Sequence, residues 1–104
     1  MQKRFESELQ LNRKYGSRMA GKILRHIAFL KISHCLADIP AERPFRCHQL
    51  KADRDEQFAI DLVHPFRLVF VADHDPIPRD KFGGIDRDCV TAIKIMEVID
   101  YHGG

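Results

Sequence analysis

Six residues of this chain carry side chains suited to moving protons and holding phosphoryl charge: His48, Lys51, Arg67 and the consecutive Asp100, Tyr101 and His102. Together they offer what RNA cleavage by side chains alone requires. A 2′-hydroxyl must lose a proton as it attacks the adjacent phosphorus. The leaving 5′-oxygen must gain one, and charge on the phosphoryl oxygens must be stabilised. Histidine titrates near neutral pH and serves either proton transfer. Lysine and arginine answer the phosphoryl charge. A tyrosine ring stacks on a base. Taken singly, each residue has a plainer explanation: His48 a sheet histidine, Lys51 and Arg67 surface charges, Asp100 a partner for Arg67.

Other chemistries find less support. His34-Cys35 and Cys47-His48 bring zinc-binding residue types together, but as adjacent pairs rather than at the spacings one turn presents to a single ion. On a strand, neighbours point to opposite faces, so Cys47 and His48 do not easily share a metal. No metal ligands are assigned and no cofactor is expected. Phosphate-binding glycine loops, H-E-x-x-H and G-x-S-x-G are missing. The aspartates of residues 73–91 lack the calcium-loop spacing.

The elements that position these groups follow from periodicity. Residues 92–102, AIKIMEVIDYH, alternate β-branched with other side chains and read as a strand whose polar end reaches the rim of a sheet. Phe45–Lys51, Phe58–Val63 and Phe66–Ala72 are three more strands, joined by the charged turn 52–56 and by His64-Pro65 into an antiparallel meander. Residues 4–11 suggest a short first strand or an extended lead-in. Leu11, Tyr15, Met19, Ile23, Ile27 and Leu30 then form one apolar helical stripe. Gly16 and Gly21 weaken that helix, which is expected to begin in earnest after Gly16. A second helical piece, Ser33–Asp38, ends at Ile39-Pro40. Residues 73–91 form a loop too long to be a mere connection. The fold class is α+β, with N-terminal helices packed on a small antiparallel-rich sheet in a single domain of 104 residues.

Charge is unevenly spread. Residues 1–48 hold ten Lys/Arg against four Asp/Glu, while residues 49–104 hold seven against eleven. Lys14, Arg18, Lys22 and Arg25 recur at helical spacing, either as a solvated surface or as a stripe that tracks RNA phosphates. With no apolar run near a membrane span and no signal peptide's apolar centre, the protein is expected in the cytoplasm, away from membranes. Its three cysteines are expected as free thiols.

The segment CHQLKADRDEQFAIDLVHPFRLVF and the terminal EVIDYH resemble the HigB-like branch of the RelE/ParE superfamily of bacterial toxin–antitoxin toxins. KYGSRMAGKILRHIAFL, CLADIP and GGID fit the same branch, so the resemblance spans most of the chain. It implies a RelE-like fold and a toxin that enters the ribosomal A site and cuts messenger RNA without a metal. The implied partners are the ribosome, mRNA and a cognate antitoxin, a helix-turn-helix protein. On that pattern His48 and Lys51 match the His-x-Leu-Lys positions, Arg67 the arginine of the central strand, and Asp100, Tyr101 and His102 the terminal triplet. Ala52 departs from the pattern, since members often carry glycine after the lysine. Two alternatives stand beside this expectation: a gyrase-poisoning toxin of the ParE type, or a non-catalytic antitoxin-binding module on the same fold.

Overall fold

A computed structural model describes residues 2–5 and 11–100, with side chains from Gly16 to Asp100. It is an α+β fold. Strand β1 (Gln2–Phe5) leads to helix α1 (Leu11–Ile32), followed by β2 (His48–Gln49), β3 (Gln57–Asp61), β4 (Phe66–Ala72) and β5 (Ala92–Asp100). They form one sheet in the order β1-β5-β4-β3-β2. The β2–β5 part is antiparallel, and β1 adds to its edge parallel to β5. Short 3-10 turns at Leu36–Asp38, Ala52–Arg54 and Arg87–Cys89 complete the elements.

The apolar stripe places α1 on one face of the sheet. Met19, Ile23, Ile27 and Leu30 are buried against Phe58, Ile60, Leu68, Phe70, Ile93 and Ile95. Gly16 breaks the helix, with φ 83° and ψ 165°. Glycine takes that backbone region without the steric cost a Cβ adds. The helical piece expected at Ser33–Asp38 is the single 3-10 turn Leu36–Asp38, closed at Ile39 before Pro40. No helix among the described residues is long and apolar enough to cross a membrane.

A bulge changes the expected pattern of β5. Register runs Arg67↔Ile99, Leu68↔Val98 and Val69↔Glu97, then skips Met96 and resumes at Phe70↔Ile95. One extra residue inverts the alternation beyond it. Ile93 and Ile95 therefore enter the main core, whereas Met96 and Ile99 pack on the opposite face over Leu50, Ala59 and Val69. The chain's β-branched residues thus serve both faces.

The strand expected over Phe45–Lys51 is paired only at His48 and Gln49. Before it the chain crosses the end of β3: Cys47 N–H donates to the Pro40 carbonyl and Asp61 N–H to the Phe45 carbonyl. Arg46 sits at φ 49°, which removes it from strand geometry. The long 73–91 loop is organised by its own bonds. Arg79 bridges to Ile85. The Asp80 carboxylate accepts from Phe82 and Gly84 N–H at 2.8 and 3.1 Å. Ile85 and Val90 are buried, and Arg79 ion-pairs with Glu56.

Candidate active site

Alternation assigns the chemistry to the face that α1 does not cover. His48 lies opposite Ala59, Ala59 opposite Val69, and Asp61 opposite Arg67. Paired residues share a face, so His48, Asp61 and Arg67 line one side of three adjacent strands. Ala59 and Val69 form the floor beneath them, each fully buried.

A chain of polar contacts joins His48 to Arg67. His48 Nδ1 is 2.7 Å from the Arg46 carbonyl oxygen. A carbonyl only accepts, so Nδ1 carries the proton and Nε2 of the neutral ring is left as an acceptor. The Arg46 guanidinium Nε lies 3.6 Å from Asp61 Oδ2. On the other carboxylate oxygen, Arg67 Nε donates to Asp61 Oδ1 at 3.2 Å. Asp61 thus fixes two arginines. Lys51, exposed, follows His48 by three residues at the entrance to the 3-10 turn Ala52–Arg54. On the same face the Arg54 guanidinium reaches Gln57 at 3.0 Å and Glu97 at 3.4 Å.

Arg46 and Asp61 were not among the residues singled out from sequence. Two signals pointed to them. Arg46 stands two before His48, and Asp61 is the one charge in the apolar run FAIDLV. The structure brings His48 and Arg67 to a common face, with Lys51 at its margin. Asp100 lies on the other face. It is exposed at the end of β5 opposite Phe66, while Arg67 faces Ile99, so alternation sends the two to opposite faces. The carboxylate received by Arg67 is Asp61. Tyr101 and His102 lie outside the described residues, as does the Lys14 side chain.

The basic stripe of α1 divides. Arg18 and Arg25 are exposed, and Arg25 folds back, its Nη1 3.3 Å from where a Cβ on Gly21 would stand. Lys22 turns instead toward the end of β3, where it borders a depression with Arg43, Arg46, Asp61 and His64. One turn further along α1, His26 is buried against the Phe45 ring, centroids 4.6 Å apart. Its Nε2 has no hydrogen-bond partner among the described residues. Burial, and then the charge of Lys22, hold its pKa below the ordinary value of 6.5.

The cysteines are free. Burial pushes the Cys47 thiol up to about 11. Exposed Cys89 is also held protonated, by its hydrogen bond to the Asp86 carboxylate and by that group's charge. Neither is primed as a thiolate nucleophile. Among the described residues, no three His, Cys, Asp or Glu side chains group as a metal would require.

No family model matches this chain, and no curated protein or solved structure matches it.

Proposed function

We propose that the protein is the toxin of a toxin–antitoxin pair, a ribosome-dependent endoribonuclease that cuts messenger RNA by acid–base catalysis. The observation that carries this reading is the polar chain His48–Arg46–Asp61–Arg67 on the open face of the sheet. It supports a base and a phosphoryl-binding cation held in fixed relation. With Nδ1 tied to the Arg46 carbonyl, His48 Nε2 accepts the 2′-hydroxyl proton. The O2′–P bond forms and the P–O5′ bond breaks, giving a 2′,3′-cyclic phosphate and a 5′-hydroxyl. The proton for the leaving oxygen is assigned to His102, on the resemblance of the terminal triplet.

Arg67 and Lys51 neutralise the phosphoryl oxygens as charge develops there. His48 and Arg67 stand on strands separated by β3, about 10 Å across at the backbone. His48 is level with Val69 and Arg67 lies two residues further along β4, so on this reading the phosphate is held diagonally across β3. Asp61 serves as a positioning residue: it holds the Arg67 guanidinium in place and does not touch the substrate. Tyr101 stacks on a base, and Asp100 orients its neighbours at the strand end. A helix-turn-helix antitoxin silences the protein.

Expression without antitoxin, followed by mapping of mRNA 5′ ends, tests the reading. New ends on translated messages with the wild-type chain, and none with His48→Ala, are expected. Growth arrest with DNA breaks and intact messages points instead to gyrase poisoning. No arrest and no cleavage leaves a binding module.

A further inference from the structure

A second concave surface adjoins the candidate site. Where β3 ends, Arg46, Asp61, His64 and Arg67 border a cavity of about 140 Å³. It continues into a wider opening of about 450 Å³, where Lys22 and Arg43 join Arg46, Asp61 and His64. Lys22 comes from α1, Arg43 and Arg46 from the crossover before β2, and His64 from the turn between β3 and β4, beside Asp61 on β3 and Arg67 on β4. Their charges do not cancel. Four cations face one carboxylate, and Asp61 is already engaged by Arg46 and Arg67. Among the described residues, Lys22, Arg43 and His64 have no carboxylate partner.

We propose that this basic pocket binds one backbone phosphate of single-stranded RNA, adjacent to the phosphate that Arg67 meets in the active site. Lys22 from the helix and Arg43 from the crossover supply the charge, and Arg46 and His64 further donors. Donors converging from three directions suit a tetrahedral oxyanion better than a planar carboxylate. Arg67 borders both sites, so a polyanion with regularly spaced charges fills them together, whereas a lone anion fills one. The placement beside the scissile bond rests on the ribonuclease reading; the pocket's anion chemistry does not.

The test is binding of an uncleavable 2′-O-methyl oligoribonucleotide to the full chain, with affinity measured across a salt series. Lys22→Ala/Arg43→Ala is the main variant, Arg43→Lys the conservative one, and Lys81→Ala on the distant 73–91 loop the control. Thermal melts confirm that each is folded. The double variant is expected to bind about tenfold more weakly. Its log–log salt slope should be shallower by about 0.7, because one phosphate fewer is neutralised and its counterions stay condensed on the strand. Arg43→Lys and Lys81→Ala should stay near wild type.

A single uncharged methylphosphonate, walked along the strand, should weaken wild-type binding at one linkage and leave the double variant indifferent there. An unchanged slope in the folded double variant overturns the proposal. So does an equal methylphosphonate effect in both proteins, or no measurable wild-type complex. An acidic peptide that competes more strongly than RNA overturns it too, and marks a protein-docking surface. RNA held through this pocket by a protein that never cuts messages defeats the ribonuclease reading alone. Message cutting with a double variant of wild-type affinity defeats the pocket alone.

Discussion

The two faces of the sheet are made by the same strands and do different work. On the face under α1, Phe58, Ile60, Leu68, Phe70, Ile93 and Ile95 are at most 1% exposed. The opposite face buries Ala59 and Val69 fully, beneath Leu50, Met96 and Ile99, and gives other positions to His48, Gln57, Asp61, Arg67, Lys94 and Glu97. The difference is one of residue size as well as polarity. Small side chains in the floor let long polar ones lie across it. Period-two alternation therefore separates the apolar core from the polar candidate site, and on the ribonuclease reading substitutions one residue apart should fail in different ways.

Phe70→Ala should test the covered face hardest. It removes a fully buried ring stacked with Phe58 at 5.9 Å and should cost about 3–5 kcal/mol. Chemical denaturation measures this, and Phe70→Leu offers a milder point where the alanine variant does not fold. On the ribonuclease reading, both should retain full activity per folded molecule. Loss of activity beyond the unfolded fraction would break the separation of faces.

The opposite pattern is expected at His48. On the ribonuclease reading, His48→Ala lowers single-turnover message cleavage by about 10²–10⁴-fold. As a half-buried residue on a two-residue strand, it should shift the unfolding free energy by no more than about 1 kcal/mol. A melt and a cleavage time course on the same sample decide it. Asp61→Asn should fall between the two. It removes the carboxylate that Arg46 and Arg67 share, which on the ribonuclease reading lowers activity and also costs stability.

A third expectation concerns acid. The folded pKa of His26 lies below its ordinary value of 6.5, chiefly through burial. The unfolded chain therefore takes up a proton first. The resulting stability is complete above 6.5 and is lost as pH falls toward the depressed folded value. Unfolding midpoints measured from about pH 7.5 down to pH 5 should drop in the wild type and less steeply in His26→Gln. Equal slopes would take His26 out of the acid response.

The smallest effect belongs to the margin of the open face. Ala52 has φ 59°, in the left-handed region where a Cβ is strained. Ala52→Gly should stabilise by about 0.5–1 kcal/mol, even after the greater freedom of glycine in the unfolded chain. A melt checks the sign. Cleavage should be unchanged unless the strained turn also aims Lys51, in which case stability and rate move apart.

Ala52 also shows how far the sequence could be read. Its departure from glycine put the turn geometry in question, and the positive φ gives the physical reason glycine suits that position. Local patterns were legible. The stripe from Met19 to Leu30, the break at Gly16 and strand Phe66–Ala72 follow from periodicity and backbone preference. Non-local pairings were not. Nothing in the sequence near Gln2–Phe5 announces a parallel partner at Ala92–Ile95. The bulge at Met96, which puts Asp100 and Arg67 on opposite faces, depends on what β4 presents across the ladder. For the same reason, Phe45–Lys51 contracted to two paired residues once the crossover before it bonded to the end of β3.

In the candidate site, the placement of His48 and Arg67 on one sheet face follows from strand alternation and pairing. Asp61 was harder to see. Its importance lies in the two arginines that meet it, and only one of them is on a neighbouring strand in register.

The sheet order has a temporal consequence. Strand β5 lies between β1 and β4, and Gln2 pairs with Ala92, 90 residues later in the chain. The first strand therefore has nowhere to dock until the last of the five has been made. Pairings over such separations form slowly, because a long loop must close before any contact rewards it. The β2–β4 meander and α1 can associate early, but the sheet stays unfinished along one side while the ribosome is still reading the message. A chain released before Ala92 would lack β5, the strand that joins β1 to β4. Refolding experiments should show the β1–β5 pairing protected from hydrogen exchange last, after the β3–β4 hairpin has closed.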